Sequence, residues 1–96
     1  MCVHSISLDG KITSMNNSGL EMLHMTEDEV CGLNYMSFAS KEDVVKMEEH
    51  WSDAVNHGKT TKFDFISNGG KKYSSCFAPV IINGQVEKVV GFTLDI

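Results

Sequence analysis

Lys71-Lys72-Tyr73-Ser74-Ser75-Cys76-Phe77-Ala78-Pro79-Val80-Ile81-Ile82, then Asn83-Gly84, then Gln85-Val86-Glu87-Lys88-Val89-Val90-Gly91-Phe92-Thr93-Leu94-Asp95-Ile96: this C-terminal stretch decides the fold. It reads as strand, turn, strand. Asn-Gly suits a two-residue type I′ turn, in which both turn residues need positive φ. From Cys76 onward the first of these strands is apolar on both parities. A strand with one face in water alternates, so both faces of this sheet are expected to be covered. The helices upstream supply one cover. The other has no source in the chain and is expected from a neighbour, as in a module that senses on one face and couples through the other.

Working outward, Val3 to Leu8 alternates, with Val3, Ser5 and Ser7 opposed to His4, Ile6 and Leu8. Asp9-Gly10 is a hairpin turn signal, and Lys11 to Met15 returns as a second strand. Asn16-Asn17-Ser18 offers N-cap residues for a short helix carrying Leu20, Leu23 and His24 on one side. Thr26-Glu27-Asp28-Glu29 is a capping box, opening a second short helix that ends at Gly32. The strongest helical signal runs from Ser40 as cap to Gly58. Glu42 and Asp43 complement its dipole, and its apolar stripe is Val44, Met47, Trp51, Ala54 and Val55. Thr60 to Ser67 is a strand with Phe63 and Phe65 on one face, and Asn68-Gly69-Gly70 turns into the Lys71 strand. The order is two strands, three helical segments, three strands. This predicts an α+β fold, a five-stranded antiparallel sheet with helices packed on one face.

Ninety-six residues make one domain, with roughly two-thirds or less of the unfolded surface buried. Eight basic against thirteen acidic residues leave a net charge of −5. That excludes a direct nucleic-acid role, which needs a basic patch larger than Lys71-Lys72. Cys2, Cys31 and Cys76 are odd in number, widely spaced and form no CxxC pattern, which points to a reducing, cytoplasmic setting. No apolar run approaches the ~18 residues of a membrane helix, so no membrane contact is expected of this domain. The chain opens almost inside a strand and stops at Asp95-Ile96, as a module excised from a longer signalling protein would.

These residues together resemble the PAS domain family over nearly the whole chain, as a single domain spanning residues 1–96. The resemblance rests on Asp9-Gly10-Lys11-Ile12 between two strands and on Asn16 or Asn17 before the first helix. It continues with Glu29-Val30-Cys31-Gly32 closing a short helix and Glu42-Asp43 opening a long one. Gly69-Gly70, the run from Tyr73 to Pro79-Val80 and the ending Gly91-Phe92-Thr93-Leu94-Asp95-Ile96 complete it. It implies a sensory or regulatory module, most often of a sensor histidine kinase in a two-component system. Such modules bind a small ligand, dimerise, or relay a signal to an effector domain in cis. By the same analogy Asp95 and Ile96 are the signal output and Thr93 points into the cavity. The alternative is a ligand-free dimerisation module in a transcription regulator.

Gly32-Leu33-Asn34-Tyr35 resembles the Gly-x-Asn-Cys block of light-oxygen-voltage domains, but Tyr35 stands at the adduct cysteine and supplies no thiol nucleophile. Cys31 reads as a small packing residue. Haem would need an inward histidine on the long helix. His50 lies about 90° from the stripe centre and His57 beside it, so both read as boundary or solvated residues. Met47 points inward, and a lone methionine on such a stripe is ordinarily core. His50 and His57 are about 10 Å apart along the axis, too far for one metal ion, and Cys2 with His4 lacks a third partner. No nucleophile motif of the GxSxG type occurs, so this domain alone is not expected to be an enzyme. The cofactor is left open.

An apolar pocket is the reading that the residues support. Strand parity turns Tyr73, Ser75 and Phe77 toward the helices with Phe63 and Phe65 beside them. Tyr35, Met36, Met47 and Trp51 form the opposite wall, and with Thr93 they make a site of aromatics and a few hydroxyls. Cys76, Ala78, Val80 and Ile82 face the other way as an exposed apolar patch, expected to pack against a helix or the same face of a second copy.

Overall fold

A computed structural model describes residues 1–96. The strands are β1 (Cys2–Ile6), β2 (Ile12–Met15), β3 (Thr61–Ile66), β4 (Lys72–Ile82) and β5 (Gln85–Asp95). Between β2 and β3 lie helices α1 (Asn17–Leu23), α2 (Glu27–Val30) and α3 (Lys41–His57), with a 3-10 turn at Tyr35–Phe38 before α3. All pairings are antiparallel and the order is β2-β1-β5-β4-β3. The first and last strands in sequence are thus neighbours at the sheet centre. The α+β architecture expected from the strand–helix–strand order is the one observed.

The local signals act as their chemistry dictates. Asn83 and Gly84 adopt φ of 52° and 79° between paired Ile82 and Gln85, the left-handed pair that a type I′ turn demands. The Asn16 side chain accepts the Gly19 N–H and caps α1. Thr26 and Glu29 form a reciprocal capping box on α2. Gly58, at φ 64°, closes α3.

Three local expectations are corrected. Leu8 is not part of the first strand. Gly10 N–H bonds back to Ser7 O, and Asp9 accepts from the Ser7 hydroxyl and the Lys11 N–H, so the chain turns before Leu8 can pair and leaves it exposed. His24 does not lie on the packed side of α1; it caps the helix in the left-handed region at φ 55° and is solvent-exposed. Ser40 is the N-cap of α3 by position, but its side chain makes no capping bond. Asp43 in the first turn instead reaches across to β3, its Oδ2 accepting the Ile66 N–H at 2.6 Å.

All helices lie on one face of the sheet. Met47 and Ala54 on α3 are buried with Phe63, Phe65, Tyr73, Phe77, Val89 and Ile6 in the larger core, and Val44, Trp51 and Val55 pack at its margin. Cys2, Ile12, Met15 and Val30 form a smaller core beneath α1 and α2. Gly19 lets α1 lie close on the sheet, because a Cβ there would come 2.5 Å from Cys2 Sγ and 2.7 Å from Met15 Cγ.

Candidate functional site

Between the two cores the sheet and helices leave a cavity of about 260 Å³. Apolar cavities of ~150 Å³ already accept a benzene ring, and small-molecule clefts begin near ~300 Å³. Its floor is the inner face of the sheet: Cys2 and His4 on β1, Phe65 on β3, Tyr73, Ser75 and Phe77 on β4, Thr93 on β5. Ile12, Met15, Met22, Leu23 and Phe38, which belong to or pack against the smaller core, and Tyr35 and Met47 of the larger core complete the wall. Ser67, Asn68 and Gly69, from the turn after β3, form the rim.

The polar groups of the floor are organised. Thr93 and Ser75 are cross-strand partners, 8% and 5% exposed. Their hydroxyl oxygens are 3.0 Å apart, and Ser75 Oγ donates to Phe92 O at 3.2 Å. On the other side of Thr93, Cys2 pairs with it across β1, and Cys2 Sγ lies 3.7 Å from His4 Nδ1. Burial lowers the His4 pKa to about 4 and raises that of the Cys2 thiol, so the pair is a neutral thiol and a neutral imidazole near pH 7. Burial, with Glu48 nearby, also pushes the Tyr35 phenol upward, so it stays protonated. The arrangement can bind and orient; it presents no activated nucleophile.

Seven residues expected at the pocket line this cavity: Tyr35, Met47, Phe65, Tyr73, Ser75, Phe77 and Thr93. Met36, Trp51 and Phe63 do not. Met36 follows Tyr35 in the 3-10 turn, so it diverges from Tyr35 and packs partly buried against the larger core. Trp51 stacks on the Tyr35 ring, centroids 4.5 Å apart and planes at 23°, and so backs the wall without forming it. Phe63 is held between His50, at 4.6 Å, and Phe77, at 5.0 Å. His50 itself is half-buried with its Nδ1 unpartnered, and His57 is exposed.

Sequence reasoning missed the rest of the lining: Cys2 and His4 on β1, Ile12 and Met15 on β2, Met22, Leu23 and Phe38 from the helical segment, and the Ser67–Gly69 rim. The alternation placing His4 with Ile6 was a usable signal, but the pairing of β1 with β5, which brings His4 beside Gly91, has no local signature.

On the outer face Cys76, Ala78 and Val80 are half-buried by their neighbours: Cys76 pairs with Phe92 and Ala78 with Val90. Val3, from β1, joins Phe92 on the other side, and Leu94 is 46% exposed. Ile82 stands apart at the hairpin tip. A register shift after Val80 sets Ile81 against Val86, and both Ile81 and Ile82 are exposed. Asp95 is held by Lys71 at 2.9 Å, which raises the lysine pKa, and Ile96 is exposed.

Comparison with known proteins agrees with this geometry. The sequence model of the PAS domain family matches residues 1–96. The chain belongs to the PAS domain family. A domain of an HTR-like protein from Haloarcula marismortui is similar in structure, with a TM-score of 0.76 and 22% identity over 99% of this chain and 96% of that one. The PAS-B domain of Drosophila melanogaster Cycle, with bound ethylene glycol, is similar with a TM-score of 0.84 and 11% identity over 100% of both chains. The sensor region of a sensor histidine kinase gives a TM-score of 0.78 and 17% identity over 98% of this chain and 38% of that one. At these identities the likeness is one of fold. A search among curated proteins found no match.

Proposed function

We propose that this PAS domain is a sensory module of a signal-transduction protein, a sensor histidine kinase above other effectors, and that a small ligand in the cavity is its input. The observation that carries this reading is the position of Thr93. Thr93 lines an apolar cavity from β5, the strand that runs out through Asp95 to Ile96. Occupancy of the cavity shifts the population of β5 geometries, and the effector joined in cis reads the shift. The domain has no catalytic step of its own. The ethylene glycol in the Cycle PAS-B structure and the histidine-kinase sensor region among its structural neighbours support the reading. Its three free cysteines fit a reducing cytoplasm, and no helix is long and apolar enough to cross a membrane.

The test is native mass spectrometry of the purified domain with amide chemical shifts at Thr93, Ser75 and Tyr35. A co-purifying molecule whose removal moves these three signals is expected. In the full-length parent, Ile96→Asp is expected to uncouple output while leaving binding intact; unchanged signalling would overturn the relay through β5. A second reading, a dimerisation module, is favoured by the apolar outer face of β1, β5 and β4. It is compatible with the first, because the same β5 presents Thr93 inward and Phe92 outward.

A further inference from the structure

The residues lining the cavity include no Asp, Glu, Lys or Arg. A charged ligand entering it would lose its hydration with nothing of opposite sign to replace it, which costs far more than an apolar contact returns. The only titratable groups on the wall are Cys2, His4, Tyr35 and Tyr73, and burial favours the neutral forms of the first three.

The hydroxyl pair on the floor adds a direction. Ser75 has one proton, and its Oγ contacts two oxygens, Phe92 O at 3.2 Å and Thr93 Oγ1 at 3.0 Å. A carbonyl can only accept, so the Ser75 proton goes to Phe92 O. The Thr93 proton must then go to Ser75 Oγ, since two oxygens at 3.0 Å without a proton between them repel. Both protons are thus used within the protein. Thr93 Oγ1 is left with lone pairs and nothing to donate. Resting on the ligand-binding reading above, we propose that the ligand is uncharged and carries an O–H or N–H that donates to Thr93 Oγ1, on a flat apolar body that fits among Tyr35, Met47 and Phe77.

Three probes of one shape test this in the intact domain by amide chemical-shift titration: indole, with a donor N–H; benzofuran, with an acceptor oxygen in its place; and indole-2-carboxylate, which is charged. Indole is expected to bind about tenfold more tightly than benzofuran, the scale of one hydrogen bond. The carboxylate is expected to leave the cavity signals unmoved. Thr93→Val should bring indole and benzofuran level. Ser75→Ala should narrow the gap by strengthening benzofuran, because the Thr93 proton then has no partner in the protein and turns to the benzofuran oxygen, while the Thr93 lone pairs still accept the indole N–H; a merely structural role for Ser75 would weaken both probes alike. Benzofuran or the carboxylate binding as well as indole to the unaltered domain would overturn the proposal and leave the cavity a ligand site. Failure of all three to move any cavity signal would overturn the ligand-binding reading itself, and this proposal with it.

Discussion

The imidazole of His4 occupies the space that a side chain on Gly91 would fill. The two residues are cross-strand partners in the β1–β5 ladder. A Cβ built on Gly91 would lie 2.5 Å from His4 Cε1 and closer still to Nε2. Gly91 has no positive φ to account for its glycine; room for the ring is the reason. Gly91→Ala is therefore expected to destabilise the domain by about 1–3 kcal/mol through overpacking. His4→Ala removes the obstacle, so the double variant should be more stable than the sum of the two single changes implies. Urea unfolding of the four proteins measures this coupling; additivity within error would show that the ring does not sit on Gly91.

The same ring makes stability depend on pH. Burial lowers the His4 pKa from 6.5 to about 4. Between these values the unfolded chain takes up a proton that the folded chain refuses. The contribution is fully present above pH 6.5 and is lost as pH falls toward 4. It changes by ~1.4 kcal/mol per unit, on the order of 3 kcal/mol in all. His4→Gln is expected to flatten the unfolding free energy across this window. An unchanged slope in the variant would assign the effect to other groups.

Asp43 ties the long helix to the sheet edge. Its Oδ2 accepts the Ile66 N–H at 2.6 Å, its Oδ1 faces Lys46 Nζ at 3.7 Å, and Lys46 Nζ donates to Asp64 O at 2.7 Å. A carboxylate accepting a backbone N–H is among the stronger hydrogen bonds of a small domain. Asp43→Ala is expected to cost about 1–3 kcal/mol and to speed hydrogen exchange at Ile66. Asp43→Asn, which keeps an acceptor oxygen, should recover part of both. Exchange at Ile66 as slow as in the unaltered domain would mean that β3 is held without this bond.

These relationships mark what the sequence makes legible. Turn and cap chemistry is local, so Asn83-Gly84 and the Thr26–Glu29 box are readable from a few residues. Strand parity is nearly as local, which is why Tyr73, Ser75 and Phe77 point inward as expected. The pairing of β1 with β5 joins residues almost ninety positions apart, and no pattern within either strand reports it. His4 and Cys2 enter the site only through that pairing. The periodicity of α3 likewise shows that Met47 and Trp51 face the sheet. It does not separate a residue that lines a void from one that backs its neighbour, as Trp51 backs Tyr35. The outer patch centres on Phe92 and Val90 of β5 as much as on Cys76 and Ala78, because the central strand of the sheet sets its middle.

Val3, Phe92 and Cys76 form one cross-strand row on the outer face, Val90 and Ala78 stand in the next, and Leu94 is exposed beside them. No element of the chain covers this face, since the helices all pack on the other side. We propose that this face is an association surface, as exposed apolar patches can be, and that a second copy covers it with its own. At tens of micromolar the domain should sediment as a dimer. Phe92→Glu places a carboxylate at the centre of the row and should give a monomer. Leu94→Glu, at a more exposed position, should weaken the dimer with less effect on folding. Near-unchanged circular dichroism and urea midpoint in Leu94→Glu would separate loss of association from loss of fold. A domain that sediments as a monomer before any substitution would remove self-association from the proposed function while leaving the cavity on the opposite face untouched.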